Sequence, residues 1–483
     1  MAAVDPRLLP QRVRYAALLT VNVYVFMGNM YGSGITTGFE SLGMYFHADN
    51  NQLSALVSYS VLAMGLANLL WMPLALCFGK RPVVLFTMVM FLCGLIWSSV
   101  AQTYNSLLAA RVFASFGYGG IESLGPSILA DLFFERNYAS AMAAYAAFLS
   151  GGSQIGPVIA GYLIGARGWR WFFILCAILA AVNLVTTFFM LPETIYEWDE
   201  VNDHEVHEDA EKNIKSHLEN VQSRSQAGDR AKMDYGDYFK GLFTMGITEE
   251  AKKNGVVKHF FYLLVLPFPL LLVPGVLIAS IMYGVILGGI VTMSTIVPAV
   301  LSPPPYLFSS AQLGLFMLSS FIGVVIAWPI AGPLTDLLSR WMRKRNNNMH
   351  KPEHRIPALI IPFLICPIGL VIFGLTFARH ESYVTAAVGQ AISAAGLTLV
   401  PSVMLSYVVD AYPRVSGEAL VLVNASKNVV AFGLSKGAYT WLAKEGIDKM
   451  FYEFAGIQWA CIFLGLPLYF FGPMLRARVD RLL

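Results

Sequence analysis

Residues 138–165, YASAMAAYAAFLSGGSQIGPVIAGYLIG, form an uncharged stretch in the first half of the chain. About 20 apolar residues are enough for a helix to cross the ~30 Å hydrocarbon core of a bilayer. Gly152, Gly156 and Gly161 are spaced four or five residues apart, and Pro157 directly follows the second of them. Glycines at this spacing allow a neighbouring helix to approach closely, and a proline within a helix bends it. The stretch therefore predicts a bent, closely packed membrane helix.

Similar stretches recur along the chain of 483 residues, of which 56% are hydrophobic and only 13% charged. Soluble proteins contain about 25% charged residues, because charge covers their surface. Within lipid every backbone polar group needs an internal hydrogen-bond partner, so membrane spans made of such stretches are helices. The sequence predicts an all-α membrane protein with twelve transmembrane helices, at residues 15–38, 53–77, 83–101, 106–131, 138–165, 171–191, 270–300, 311–335, 356–378, 383–409, 418–442 and 454–474.

Residues 193–258 differ from the rest, because they hold 15 of the 30 acidic residues. Their composition is typical of a solvated linker. A metal site is the alternative, since His204, Glu205, His207 and Glu208 follow one another closely. The linker interpretation predicts three parts, which are an N-terminal six-helix half at 1–192, a central acidic loop at 193–258 and a C-terminal six-helix half at 259–483.

The short loops predict the orientation of the chain. A cytoplasmic N-terminus places sixteen Lys and Arg residues on the cytoplasmic side and five on the other, with the central loop excluded. Positive residues accumulate in cytoplasmic loops. Both termini and the central loop are therefore predicted to be cytoplasmic. Residues 259–273, which are apolar and contain two prolines, are expected to lie along the membrane interface before the seventh span.

Short motifs beside or within the spans resemble those of a known family. They are Gly152-Ser-Gln-Ile-Gly156-Pro157, Arg111 with Gly117 and Gly119, Gly79-Lys80-Arg81-Pro82, Leu191-Pro192-Glu193-Thr194 and Pro352-Glu353-His354-Arg355. With them the chain resembles the drug:proton antiporters of the major facilitator superfamily, in particular the fungal branch of exporters and polyamine-type carriers. The resemblance covers essentially the whole chain. It implies two six-helix halves that rock about a site near the membrane midplane.

One position departs from the family pattern. The family has an acid two residues after a Pro-Leu pair at the end of span 2, and this chain has Leu76 there. In the family that acid belongs to a cytoplasmic latch between the halves. Asp336 occupies the matching place in the second half, and Asp131 and Arg136 lie on the same predicted side. Glu135 lies beside Arg136 in the sequence, and these residues are the remaining candidates for the latch.

Two charged residues fall well inside span 4. Ionisable residues at the centre of a span cost at least ~2.5–3.5 kcal/mol on insertion scales and mark functional candidates. Arg111 and Glu122 are eleven residues apart, so both point to one face, ~16 Å apart along the helix. A carboxylate in lipid is unfavourable when ionised, which suits a group that takes up and releases protons. The alternative for Glu122 is a packed polar residue bonded to a neighbouring helix.

A second charge lies inside span 11. Lys427 shares one helical face with Asn424 and Asn428, which gives this helix a polar stripe. Such a lysine can pair with an acid, bind an anionic substrate or compete for the proton, and the sequence leaves these roles open. Asn22 on span 1 and Gln154 on span 5 are further candidates for a polar lining.

The sequence contains no P-loop and no Ser-His-Asp or paired-carboxylate constellation, so we expect neither ATP-driven transport nor an enzyme. We also expect no cofactor and no bound metal. The expected partners are a small-molecule substrate, protons and the lipid bilayer, without nucleic acid, and the protein is expected to act as a monomer. The predicted function is proton-coupled efflux of a toxin, drug or secondary metabolite across a fungal plasma or vacuolar membrane. The alternatives are uptake of a cationic solute such as a polyamine, and a non-transporting membrane receptor or scaffold.

The topology yields the first prediction. A reporter fused after His217 is expected to lie in the cytoplasm, and one inserted between Lys444 and Lys449 outside it. Each position is scored with a fluorescent protein that matures only in the cytoplasm and an enzyme reporter that is active only outside. If both positions report the same side, the model of twelve spans is wrong.

Overall fold

The structure is a computed structural model that describes residues 6–195, 247–345 and 351–479. Within these ranges all regular elements are helices, in agreement with the predicted all-α class. The first range contains eight α-helices, at Gln11–Gly34 (α1), Phe39–Phe46 (α2), Asn50–Phe78 (α3), Lys80–Val100 (α4), Tyr104–Gly119 (α5), Ile121–Leu132 (α6), Glu135–Arg167 (α7) and Trp169–Met190 (α8).

The remaining ranges begin with two short helices and continue with long ones. The α-helices are Glu249–Asn254 (α9), Val256–Val265 (α10), Pro274–Leu301 (α11), Ser310–Arg345 (α12), Ile360–Ala378 (α13), Tyr383–Ala411 (α14), Ser416–Lys436 (α15), Ala438–Phe463 (α16) and Gly465–Val479 (α17). Short 3-10 helices precede α11 and α13, at Phe268–Leu272 and Pro352–Leu359. The central residues 196–246, with most of the predicted acidic loop and its histidines, lie outside the described ranges.

Among the described helices, nine are long and apolar enough to cross a membrane by length and composition. Helices also occupy the other three predicted spans, as α1, as α5 continued by α6, and as α15. The last two contain the buried charges Arg111, Glu122 and Lys427. Predicted span 11 ends earlier than expected, at Lys436, because Gly437 separates α15 from α16.

The apolar core is divided between the two ends of the sequence. One cluster of buried side chains extends from Ala17 to Leu191, and others contain only residues between Leu270 and Leu468. Contacts between these two sets of helices run along α3 with α15 and along α7 with α12. We refer to the two sets, α1–α8 and α11–α17, as the halves.

Several contacts between the halves lie at one end of the bundle, which we name the Ser54 end. There the hydroxyl of Ser54 donates to the carbonyl of Ser435 at 3.4 Å, and Thr440 donates to Asn51 at 3.4 Å. Gly161 lies directly against the carbonyl of Ser310, so a Cβ at that position would collide with backbone. The halves are therefore closed against each other at the Ser54 end.

The glycine motif of α7 serves two neighbours. Gly152 and Gly156 pack against the backbone of α1 at Phe26 and Met30, within the same half. Gly161 instead contacts the other half. Pro157 does so too, because its carbonyl oxygen lies 2.5 Å from the point where a Cβ added to Gly314 would lie. The motif is thus a packing device on two sides of one helix.

The opposite end, which we name the Lys80 end, contains the α3–α4 turn. Glu193 accepts hydrogen bonds from the amides of Lys80 (3.1 Å) and Arg81 (3.2 Å) at the start of α4, where a helix favours negative charge. Lys80 forms an ion pair with Asp131 at 2.5 Å. Arg355 and Asp410 form a similar pair at 2.7 Å in the other half. The side chains of Arg136 and Asp336, two of the proposed latch residues, lie outside the described part of the structure.

The contact at Gly161 yields the second prediction. Gly161→Val places a branched side chain against the Ser310 backbone and is expected to keep the Ser54 end from closing. The measurement is labelling of a Ser60→Cys variant by an impermeant thiol reagent added on the Ser54 side, with Cys93 replaced.

Gly165→Val is the matched control, because a Cβ at Gly165 meets nothing within 4 Å. We expect faster labelling in Gly161→Val than in Gly165→Val. Equal rates in the two variants would show that Gly161 does not control closure.

Candidate functional site

An ion pair connects the two halves in the interior of the bundle. Nζ of Lys427 on α15 lies 3.3 Å from Oε2 of Glu122 on α6, and both side chains are only 5% exposed. Of the roles that the sequence left open for Lys427, the structure shows pairing with a carboxylate. Removing one partner of such a buried pair leaves an uncompensated charge, which costs far more than loss of a surface pair. The pair therefore connects the halves in this conformation, and neutralising only one of its charges is unfavourable there.

Neighbouring polar groups hold the pair in place. Nδ2 of Asn428 lies 3.5 Å from Oε2 of Glu122 and also donates to the carbonyl of Asn424 at 3.1 Å. Nζ of Lys427 lies 4.6 Å from the centre of the Tyr283 ring, in a cation–π arrangement. Lys427 and Asn428 of the polar stripe predicted for span 11 thus face the other half, with Asn428 against Gly65 on α3.

Two supporting contacts were not anticipated from the sequence. Ser123, next to Glu122, donates to Oδ1 of Asn68 on α3 at 2.8 Å, and this links α6 to α3. Tyr283 supplies the aromatic face beside Lys427 from α11. In the sequence, these contacts were indicated only by Tyr283 and Asn68, which are single polar residues within apolar spans. Such residues are common in packed helices.

A cavity of about 130 Å³ lies beside the ion pair, between the halves. Its polar lining includes Asn29, Ser33 and Gln154 from the first half and Ser294 and Asn428 from the second. Among the described residues its lining contains no charged side chain. Ligand pockets usually measure about 300–1,000 Å³. In this closed conformation the cavity therefore suits only a small solute, and a larger one requires the halves to separate.

Arg111 has a different environment from the one that the sequence predicted. It is fully buried within the first half and does not line the cavity. Its guanidinium donates to the carbonyls of Leu56 (2.9 Å) and Gly32 (3.2 Å) and lies 4.7 Å from the centre of the Tyr31 ring. These contacts join α5 to α3 and to the end of α1, so the geometry supports a packing role for Arg111.

The other predicted polar residues separate into two groups. Gln154 and Asn428 line the cavity, as does Asn29 on α1. Asn22 lies deeper in the first half, 3% exposed, and its Oδ1 has no hydrogen-bond partner among the described residues. Asn424 contributes its backbone carbonyl to Asn428.

The sequence of residues 20–435 matches the model of the Major Facilitator Superfamily. The chain belongs to this superfamily. It is thus an integral, multi-pass membrane transporter of small molecules and not an enzyme. Among the described residues, no group of His, Cys, Asp and Glu side chains is arranged to bind a metal ion.

Fungal relatives are similar over most of the chain. MFS transporter cpaT of Aspergillus oryzae is 28% identical over 89% of this chain and 81% of its own length. The probable efflux pump mfs2 of Aspergillus flavus is 25% identical over 85% of this chain and 90% of its own. Protein HOL1 of Saccharomyces cerevisiae is 20% identical over 92% of this chain and 83% of its own.

Solved structures of the superfamily share the fold. The xylose transporter XylE from E. coli, in a partially occluded inward open conformation, aligns with a TM-score of 0.66. The alignment covers 95% of this chain and 98% of XylE at 14% identity. At this identity the likeness establishes the helical transporter fold and nothing about the substrate.

The ion pair yields the third prediction. Glu122→Gln leaves Lys427 buried without its partner and is expected to cost ~3–5 kcal/mol of stability. The double variant Glu122→Gln/Lys427→Met removes both charges and is expected to recover most of that loss. Stability is measured as the thermal or denaturant unfolding of purified protein at neutral pH.

Glu381→Gln is the control, because Glu381 forms an exposed pair with Arg379 at 3.9 Å. Such a surface pair contributes about 0–1 kcal/mol. If Glu122→Gln unfolds like Glu381→Gln, the buried pair does not stabilise this conformation.

Proposed function

We propose that this transporter is proton-coupled, works by alternating access and exports a small organic molecule, such as a toxin, drug or secondary metabolite, from a fungal cell. The observation that carries the proposal is the ion pair between Glu122 and Lys427, buried at the junction of the halves beside a polar cavity. In an ion-coupled transporter of this plan the ion acts on the separation of the halves, and this pair offers a carboxylate at that junction.

Protonation is the first step of the proposed cycle. The ionised pair favours the conformation in which the Ser54 end is closed. A proton on Glu122 removes its charge and leaves Lys427 with the Tyr283 ring and Asn428 as its neighbours. The attraction across the junction weakens, so the halves separate more readily at the Ser54 end. The proton is taken up while the Ser54 end is open and leaves toward the Lys80 end, and its release there restores the pair and the closed Ser54 end.

Substrate binding is the second step. The hydroxyls and amides of the cavity lining, including Ser33, Ser60 and Gln154, offer hydrogen bonds to a polar organic solute. Leu287, Ile290 and Val291 supply an apolar wall. This lining suits an uncharged or weakly charged molecule with both polar and apolar parts. Because Glu122 does not line this cavity, the proton and the solute are coupled through the closing and opening of the halves rather than through one shared carboxylate.

Export through the plasma membrane is the proposed direction and location, with the vacuolar membrane as the alternative. The proposal includes twelve membrane crossings, cytoplasmic termini and a monomer as the working unit. Support comes from the similarity to a fungal protein named as an efflux pump and from the distribution of Lys and Arg in the short loops.

Uptake of a cationic solute such as a polyamine is the second candidate. The buried carboxylate of Glu122 and the nearby ring of Tyr283 are groups that bind ammonium ions. Such a cation must displace Lys427 from the carboxylate, which leaves the lysine unpaired. We therefore rank uptake of a cation below export of a neutral molecule. Comparing metabolites inside and outside cells with and without the protein identifies the substrate and separates the two directions.

The role of Glu122 yields the fourth prediction. Glu122→Gln preserves shape but fixes the neutral form, so it is expected to abolish accumulation against a gradient and its dependence on pH. Exchange of substrate down its gradient is expected to persist. The measurement is flux of the identified substrate in proteoliposomes with and without an imposed pH gradient.

Glu40→Gln serves as the control, because Glu40 is an exposed carboxylate in the short helix α2. We expect this variant to behave as the wild type does. Uphill, pH-dependent transport by Glu122→Gln would make Glu122 a structural residue. Absence of any effect of the pH gradient on flux through the wild-type protein would contradict proton coupling.

A further inference from the structure

The segment Thr248–Leu272, which we name the strap, connects the central region to the first helix of the second half. Its beginning is fastened to the first half. The hydroxyl of Thr248 donates to the carbonyl of Leu76 at 2.9 Å, and its amide donates to the carbonyl of Cys77 at 3.0 Å. These carbonyls belong to the last turn of α3, where helix carbonyls lack partners within the helix. The strap thus caps α3 at the position where the family's acid is replaced by Leu76.

The middle of the strap carries an exposed apolar face. Val257, Phe261 and Val265 on α10 are 56–69% exposed, and they are spaced four residues apart on one side of the helix. His259, on the other side, is buried. The apolar surface continues through Phe268 to Leu272, which is 86% exposed. The exposed side of α10 is thus apolar, and an exposed apolar side next to a membrane span is suited to the interface of a bilayer.

Basic residues precede this apolar face. Lys252, Lys253 and Lys258 are exposed. The two acids of the strap, Glu249 and Glu250, both lie before them in the sequence, and no acid follows between Ala251 and Leu272. Positive charge therefore gathers where the strap starts, and the apolar surface increases toward α11. Each lysine near an anionic lipid surface is attracted to it by about 1 kcal/mol, so three lysines favour such a surface.

We propose that the strap is a docking surface for an anionic membrane leaflet. The lysines contact lipid headgroups, and the apolar face enters the boundary between headgroups and acyl chains. Lipid is the fitting partner rather than a soluble protein, because Leu272 lies two residues before Pro274, where membrane helix α11 begins. A soluble partner would have to enter the bilayer to cover that surface.

Docking has a mechanical consequence. The strap touches α3 through Thr248 and α10 and continues into α11, so it is attached to both halves. A leaflet that holds the strap therefore restrains one end of each half. The Lys80 end carries this attachment, and the sequence predicts that end to be cytoplasmic, where anionic lipids concentrate.

The test compares the full-length protein in two kinds of nanodisc, one of phosphatidylcholine and one of equal parts phosphatidylcholine and phosphatidylserine. Amide hydrogen exchange of residues 256–265 reports the stability of the docked helix. We expect slower exchange in the anionic discs, by roughly fivefold for each lysine near the surface. High salt is expected to reduce the difference.

The variant Lys252→Gln/Lys253→Gln/Lys258→Gln is expected to exchange equally in the two kinds of disc. Lys444→Gln/Lys449→Gln, which removes exposed lysines elsewhere, is expected to keep the wild-type difference. Phe261→Ser is expected to speed exchange in both lipids, since it weakens insertion of the apolar face.

Equal exchange of the wild-type strap in neutral and anionic discs would overturn the proposal. So would a triple variant that keeps the wild-type difference. Because the three lysines are exposed, the triple variant is expected to unfold at the wild-type temperature in phosphatidylcholine, which shows that the protein remains folded. This experiment does not depend on transport, so its failure would leave the proposed function untouched.

Discussion

The contact between Glu122 and Lys427 is the interaction on which the meeting of the two halves depends. Two opposite charges, each 5% exposed, meet where α6 of one half faces α15 of the other. Apolar packing alone brings membrane helices together weakly, because lipid is as apolar as their surfaces. A buried ion pair adds an attraction that acts across the junction and that one proton removes. Packing thus forms each half and also the contact of the halves at Gly161 and Gly314, whereas the ion pair adds an attraction that depends on the charge of Glu122.

The geometry of closure complements this attraction. At the Ser54 end, Gly161 and Gly314 bring backbone against backbone, so small changes of distance there alter many contacts together. Within the first half, Arg111 satisfies the carbonyls of Leu56 and Gly32 and fastens α1 to α3. Because the first half is rigid, it can move as one body, and its rotation can transmit a change at Glu122 to the Ser54 end. This arrangement is what alternating access requires.

Much of the fold could be predicted from the sequence, because apolar length determines where helices cross a bilayer. The pairing of side chains across the two halves could not be predicted. Glu122 and Lys427 were each identifiable as costly charges, but 305 positions separate them and no local pattern connects them. Arg111 shares a helical face with Glu122, yet it bonds backbone carbonyls within its own half, because the sequence does not reveal which helix covers that face. The contact of Thr248 with the end of α3 could not be predicted for the same reason. A hydroxyl can donate to any free carbonyl, and the sequence does not show which carbonyl lies beside it.

The most direct test of the central claim measures the distance between the halves as Glu122 changes charge. Spin labels at Gln102 and Lys444, both exposed, report the Ser54 end by pulsed electron resonance in a background without native cysteines. We expect a short distance at alkaline pH, a growing long-distance population as the pH falls, and a long-distance population at every pH in Glu122→Gln. A distance distribution that is unchanged by pH and by Glu122→Gln would contradict this expectation.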